Sequence, residues 1–299
     1  MTKLLIIAGA TCTGKSSLAV ECAKKYNGEI ISCDSMQIYK GCDIGTAKIT
    51  TNEQQGIVHH MLSIVSPKEE FSVSEYVDRV KFIIQEIESK GKLPIIVGGT
   101  GLYIQALLNN YNFCNTEKNE LIREKYNNIL QEKGKDYLFK LLCDKDSEKA
   151  KKINKNDTKR IIRSLEILEN NQKMIKESEC LYDYLFIVLN FDRGKLYEKI
   201  NHRVEDMINS GLEAEVEGLL SSGISFNNQC MQSIGYKEWA PYFKGEIDKS
   251  ELIENIKKNT RHYAKRQVTW FRHRENAKIF DIETQQDKIF EEIECWLKL

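Results

Sequence analysis

No apolar run in this chain approaches the roughly 18 residues needed to span a bilayer, and no basic-then-apolar leader opens it. Neither membrane insertion nor secretion is indicated, and the expected compartment is the cytoplasm. No Cys-x-x-Cys pair occurs, and the nine cysteines (12, 22, 33, 42, 114, 143, 180, 230 and 295) are odd in number and scattered. A disulfide framework and a zinc ribbon are therefore not expected, and the thiols read as reduced and mostly buried. Net charge is also missing: 44 Lys and Arg balance 44 Asp and Glu, which argues against a nonspecific nucleic-acid binder. There is no internal repeat and no low-complexity linker. What remains is 299 residues, 41% of them hydrophobic, enough for one large domain or two unequal ones.

Residues Gly9-Ala10-Thr11-Cys12-Thr13-Gly14-Lys15-Ser16 form a complete G-x-x-x-x-G-K-[ST] phosphate loop directly after the apolar run Leu4–Ala8. The amides from Thr11 to Lys15 should converge on one concavity at the start of a helix over 15–25, where unpaired donors and the helix dipole favour an anion. Lys15 is placed to reach a terminal phosphate, and Ser16 to offer a hydroxyl to Mg²⁺. Loops of this kind are commonly ATP-binding, yet nucleotides, free diphosphate and prenyl diphosphates all present a phosphate pair. The motif alone leaves the ligand open.

The first hundred residues alternate strand-like and helix-like stretches: strands at 3–8, 29–33 and 93–97, and helices from Lys15 and over 72–89. This is the pattern of a parallel sheet flanked by helices. Gly98-Gly99-Thr100-Gly101 ends the third strand as a second Gly-rich turn, which should face the same crevice as the phosphate loop. From about 112 to 181 the chain becomes polar, with helical periodicity at Leu121, Tyr126 and Leu130 and again at Ile161, Ile162, Leu165 and Leu168. An inserted helical domain is expected there, inside a core made of 1–111 and 182–299. Tyr184–Asn190 reads as another buried strand, followed by long amphipathic helices to the end.

Asp34-Ser35-Met36-Gln37-Ile38-Tyr39 follows the second strand, so the sheet should carry Asp34 to the rim of the phosphate site. A carboxylate there can ligate a metal, accept a proton from a nucleophile, or simply cap the turn after the strand. Charge is locally uneven despite the zero balance. Residues 257–274 hold seven Lys and Arg with no acid, and 149–163 hold seven with Asp157 alone. At about 100° per residue, Lys257, Arg261, Lys265 and Arg272 share one helix face, opposite Ile256, Tyr263 and Trp270. The basic stripe is expected to be free for a polyanion, and the aromatics to pack in the core. Adjacent His59 and His60 lack ligand-spaced partners and read as loop packing near the site.

These motifs together resemble the tRNA dimethylallyltransferases, the tRNA isopentenyltransferase family that modifies adenosine 37. The resemblance is carried by Gly9–Ser16, Asp34–Tyr39, Asp43-Ile44-Gly45-Thr46-Ala47-Lys48, His59-His60, Gly98–Tyr103, Asp157 with Arg160-Ile161-Ile162-Arg163, Gly235-Tyr236-Lys237-Glu238, and Thr260–Phe271. It spans about residues 3 to 275. It implies a P-loop NTPase-like α/β fold that holds dimethylallyl diphosphate rather than ATP, with Mg²⁺ on Ser16, and transfer of the five-carbon chain to N6 of adenosine 37 in tRNAs reading codons that begin with U. By the same resemblance, Asp34 is the base, Arg203 stabilises the leaving diphosphate, and Thr100 contacts the substrate near the reacting atoms. The implied tRNA contacts are Asp34, Ser35, Met36, Gln37, Thr100, Arg123, Lys159, Arg160 and Arg163, to which the basic stripe adds Lys257, Arg261 and Lys265. Lys159 stands where the family has Gln, Ala10 where it has Pro, and Cys12 where it has a small residue. Arg203 has a structural alternative as a surface Arg paired with Glu205 or Asp206. The absence of a C-terminal Cys/His module implies a bacterial or compact organellar form, expected to be a monomer.

Three other readings compete. A small-molecule kinase or NTPase would want an acid closing a strand, and Val97-Gly98-Gly99-Thr100 has none. A prenyltransferase acting on free AMP or ATP would not need the basic inserted domain. A non-enzymatic RNA binder would leave the phosphate loop and Asp34 without a purpose.

Overall fold

A computed structural model describes residues 1–110, 119–170, 180–274 and 276–298. Cys114 and the expected boundary at 111–112 lie outside the described residues. The elements in order are β1 (Thr2–Gly9), α1 (Lys15–Lys25), β2 (Gly28–Cys33), α2 (Thr51–Gln54), β3 (His59–His60), α3 (Val73–Ser89), β4 (Leu93–Gly98) and α4 (Gly101–Leu108). They continue with α5 (Glu120–Lys145), α6 (Ser147–Ala150), α7 (Thr158–Glu169), β5 (Tyr182–Asn190), α8 (Arg193–Asn209), α9 (Leu212–Ser221), α10 (Trp239–Phe243), α11 (Lys249–Arg272), β6 (Ala277–Asp281) and α12 (Gln286–Lys298). The chain divides into two compact units, one of Met1–Leu108 with Cys180–Leu299 and the other of Asn109–Glu179.

The first unit is built on a six-stranded sheet of order β3-β2-β4-β1-β5-β6, parallel at every pairing. Leu4 to Ala8 and Ile95 to Val97 are buried throughout rather than in alternation, because helices cover both faces of a parallel sheet. Leu18, Ala19, Cys22 and Ala23 of α1 pack on one face with Ile289, Ile293 and Trp296 of α12. A capping box starts α3: the Ser72 hydroxyl accepts from Glu75 N, and the Glu75 carboxylate accepts from Ser72 N. Such a cap contributes on the order of 1 kcal/mol. The strand order makes β2, β4 and β1 neighbours, so their carboxyl ends deliver the Asp34 loop, the Gly99 turn and the phosphate loop to one rim.

The structure corrects two expectations here. His59 and His60 form the edge strand β3 on β2 rather than a loop, and His60 Nε2 lies 2.7 Å from Glu29 Oε2. Burial opposes ionisation of Glu29, yet Lys92, His60 and Lys90 outweigh it and hold the carboxyl down at about 2. The tail is not helical to its end: Ala277–Asp281 adds β6 beside Phe186–Asn190 of β5 before α12. Five mixed residues at a sheet edge carry little periodicity of their own, and pairing with β5 decides their conformation.

The second unit has its own core of Tyr126, Leu138, Leu142, Ile161, Ile162 and Leu165. Its long α5 is broken at Gly134, whose φ of 77° leaves the helical region. Among the described residues, no helix is long and apolar enough to cross a membrane. The eight described cysteines are all free, with Cys22, Cys33, Cys42 and Cys230 buried and Cys295 exposed.

Candidate active site

The phosphate loop leaves β1 and closes on itself before α1. Thr13 Oγ1 donates to Ala10 O at 2.9 Å, the Lys15 ammonium donates to the same carbonyl, and Cys12 takes a left-handed φ of 65°. Burial and the nearby Arg203 guanidinium depress Lys15 to about 8, with Asp34 pulling the other way. Arg203 reaches across from α8, its Nη1 donating to Thr11 Oγ1 at 3.1 Å. Glu205, one of the partners weighed for Arg203, instead accepts from Lys257 at 2.8 Å. Ser16 is exposed on the first turn of α1.

Asp34 Oδ1 accepts from Met36 N at 2.9 Å and from Gln37 N at 3.4 Å, so the carboxylate does cap its turn. Oδ2 carries neither bond. Burial raises the Asp34 carboxyl above its ordinary range against the opposing pull of those two amides, Lys15 and Lys48. Thr100 ties the neighbouring turn to this loop: its Oγ1 accepts from Ser35 N at 3.2 Å, and its own N donates to Cys33 O at 3.2 Å. A carboxylate with raised proton affinity therefore stands on the same rim as a cationic anion cradle. That combination suits proton abstraction beside a departing phosphate group.

Gln37 is one of the implied tRNA contacts, but its amide is held from three sides. Its Oε1 accepts from Ser32 Oγ at 3.2 Å, while Nε2 lies 3.2 Å from Thr46 O and 3.4 Å from Ala47 O. A base at this position has to share or exchange those bonds. The segment that orients Gln37 is itself gripped by Glu215 of α9, whose carboxylate accepts from Asp43, Ile44 and Gly45 N at 2.8–3.0 Å and from Tyr236 Oη at 2.6 Å.

The free basic stripe is the clearest correction. Lys257 is bonded to Glu205 and Glu254, with only 12% of its side chain exposed, and Arg261 Nη1 donates to Asn201 Oδ1 at 2.5 Å. Of the three stripe residues proposed to touch tRNA, Lys265 alone is exposed. Helix geometry placed these cations on one face, but α8 packs on that side of α11 and consumes two of them. In the second unit, Arg123 Nε and Arg163 Nη1 lie 3.0 and 2.8 Å from the buried Glu166. Burial raises the Glu166 carboxyl, but Arg163, Asn119 N and Arg123 together hold it below the ordinary range. Arg160 pairs with Asp157 at 3.2 Å and remains largely exposed, as does Lys159.

Two site residues escaped the sequence reading because both sit on the face of α11 assigned to the core. Gln267 is buried between the phosphate loop and the Gly99 turn. Tyr263 lies close enough to Asp34 that burial, and then that carboxylate, push its hydroxyl well above the usual range. The available signal was a polar Gln at i+4 from Tyr263 on an otherwise apolar stripe.

A parallel sheet with a phosphate-loop motif at the carboxyl end of its central strand, a cation from a neighbouring helix and a second, helical unit define a P-loop-type α/β protein. The model of the IPP transferase family matches residues 37–274. The chain is 48% identical to a tRNA dimethylallyltransferase of Caldanaerobacter subterraneus over 97% of its length and 95% of that protein. It is 46% identical to one of Bacillus anthracis over 94% and 91%. Among solved structures, the full-length tRNA isopentenylpyrophosphate transferase of Bacillus halodurans superposes with a TM-score of 0.77 at 38% identity, covering 100% of this chain and 97% of that one. A eukaryotic dimethylallyltransferase acting on tRNA gives a TM-score of 0.79 at 31% identity, covering 98% and 78%. The chain belongs to the IPP transferase family.

Proposed function

We propose that this protein transfers the dimethylallyl group of dimethylallyl diphosphate to N6 of adenosine 37 in the anticodon loop of tRNAs reading codons that begin with U, releasing diphosphate, in the cytoplasm and as a monomer. The observation that carries the reading is one shared rim: a phosphate loop met by Arg203 beside a carboxylate whose proton affinity is raised by burial. The family relatives named for this activity support it. Incubation with labelled dimethylallyl diphosphate and either tRNA or free adenine nucleotides tests it directly. Label is expected in tRNA adenosine, and label confined to AMP or ATP would overturn the reading.

An exocyclic adenine amine is a weak nucleophile because its lone pair is delocalised, so a positioned base and an activated leaving group are both needed. The target base must also leave the anticodon stack to reach the rim. In the proposed step the N6–carbon bond forms as the carbon–oxygen bond to diphosphate breaks, and the N6 proton passes to Asp34. Thr100 keeps the Asp34 loop in place through Ser35 N. Lys15, Arg203 and the loop amides receive the charge that develops on the leaving diphosphate. Among the described residues no group of three or more His, Cys, Asp or Glu could hold a metal. The exposed Ser16 hydroxyl fits an ion such as Mg²⁺ that takes most of its ligands from phosphate and water. When bound there, Mg²⁺ supplies further neutralisation of the diphosphate.

Because burial and Arg203 bring Lys15 down to about 8, its charge should be present at pH 7 and lost as pH rises through 8. Diphosphate affinity should therefore fall by up to about tenfold per pH unit above that point, as titration calorimetry between pH 6.5 and 9.5 can show. The same profile in Lys15→Met, where only the ionisation of diphosphate itself remains, would remove Lys15 from the cradle.

The α11 pairing also divides the basic residues. Lys265→Ala should reduce the salt slope of tRNA binding by about 0.7–0.9. Lys257→Ala should leave the slope unchanged, because its charge is already spent on Glu205 and Glu254. Equal effects in the two variants would return Lys257 to the tRNA footprint.

A further inference from the structure

One amide spans the two loops on which the proposed chemistry depends. Gln267 lies on α11 with 6% of its surface exposed. Its Oε1 accepts from Thr11 N of the phosphate loop at 2.9 Å, and its Nε2 donates to Gly99 O of the second Gly-rich turn at 3.0 Å. The two bonds need an acceptor and a donor on one planar head, which only an amide offers at this length. The Gly99 turn is shaped around that head: a Cβ at residue 99 would stand 2.0 Å from Gln267 Nε2. From Gly99 the chain runs directly to Thr100, whose hydroxyl accepts from Ser35 N and so holds the loop carrying Asp34. On the other side, Thr11 also accepts from Arg203. The hydrogen-bonded route from leaving-group cradle to base therefore passes through two side chains, Gln267 and then Thr100.

We propose that Gln267 is a positioning residue for group transfer, setting the separation between the diphosphate cradle and the Asp34 loop without itself touching the reacting atoms. The inference rests on the site reading given above. Pairing of β1 with β4 holds the two strands in register as far as Ala8 and Gly98; past that point Gln267 joins the phosphate loop to the Gly99 turn. A strut hydrogen-bonded at both ends limits movement of the two loops relative to each other, and misplacement of reacting groups by about 1 Å can cost on the order of 10²-fold in rate. Because Thr11 N is committed to Gln267, diphosphate is left to the amides further along the loop. Loss of Gln267 should accordingly spare ligand affinity while harming turnover.

The test uses Gln267→Met, which keeps volume and removes both bonds, and Gln267→Asn, which keeps the amide but is one methylene too short to span the gap. Both are measured for kcat with a tRNA anticodon stem-loop, for KM, for diphosphate affinity by calorimetry and for melting temperature. Each is expected to lower kcat at least about tenfold while diphosphate affinity and the KM for RNA stay within about threefold. The inference is overturned by kcat within twofold of the parent in either folded variant, or by diphosphate affinity falling in step with kcat. Should Gln267→Met fail to fold, Gln267→Asn decides alone.

A second measurement reads the same contact from the glycine side. Gly99→Ala should impair kcat in the parent chain but have little further effect in Gln267→Ala, where the colliding head is gone; additive losses would count against the strut. Asp34→Ala run in parallel separates the two levels of the argument. Full activity in that variant sinks the site reading itself, whereas an inactive Asp34→Ala beside a normal Gln267→Asn sinks only the strut.

Discussion

Replacing Asp34 with Ala is expected to lower single-turnover dimethylallyl transfer by about 10²- to 10⁴-fold, the range that a positioned general base supplies, while tRNA affinity changes by no more than a few-fold. The carboxyl is driven above its usual range by burial, which makes it a stronger proton acceptor than an exposed aspartate and keeps it beside the cationic cradle. Oδ1 is committed to Met36 N and Gln37 N, so removal of the side chain also frees the turn. Asp34→Asn separates the two roles. Its side-chain oxygen can still cap the turn, but the amide accepts no proton, and it should be as slow as Asp34→Ala while melting close to the parent. An Asn variant with near-parent turnover would reduce Asp34 to a capping residue.

Removal of the Lys15 ammonium, as in Lys15→Met, should lower kcat/KM for dimethylallyl diphosphate by about 10²- to 10³-fold, the typical worth of one preorganised donor to a developing anion. The effect should exceed that of Arg203→Ala, because Lys15 lies inside the loop and donates to Ala10 O, whereas Arg203 enters from α8 and its Nη1 donates to Thr11 Oγ1. Steady-state kinetics with varied diphosphate substrate at pH 7 measure both variants, and an Arg203 effect larger than that of Lys15 would invert the proposed division of labour.

The α/β pattern, the helix beginning at Lys15 and the strand ends that carry Asp34 and Thr100 were legible from local signals: apolar runs and Gly-rich turns act within a few positions of themselves. Two-residue β3 and the short edge strand β6 were not, because each exists only through its pairing with β2 or β5. The fate of the cations was equally hidden. A helical wheel puts Lys257, Arg261 and Lys265 on one face, yet which of them meets solvent depends on α8, whose Glu205 and Asn201 come from some 50 to 60 residues earlier in the chain.

The sequence by itself determined the kind of molecule this is, since a phosphate loop after an apolar strand needs only consecutive residues to form. The tertiary structure decided how the site is joined together. Gln267 reads as one more core position of an amphipathic helix until Thr11 and Gly99 are brought to its two ends. Glu215 reads as a surface acid until the amides of Asp43, Ile44 and Gly45 close on it. Hydrogen bonds across 168 to 256 positions of chain leave no periodic trace in the sequence, because a buried amide is satisfied by whatever backbone the packed elements place within about 3 Å of it.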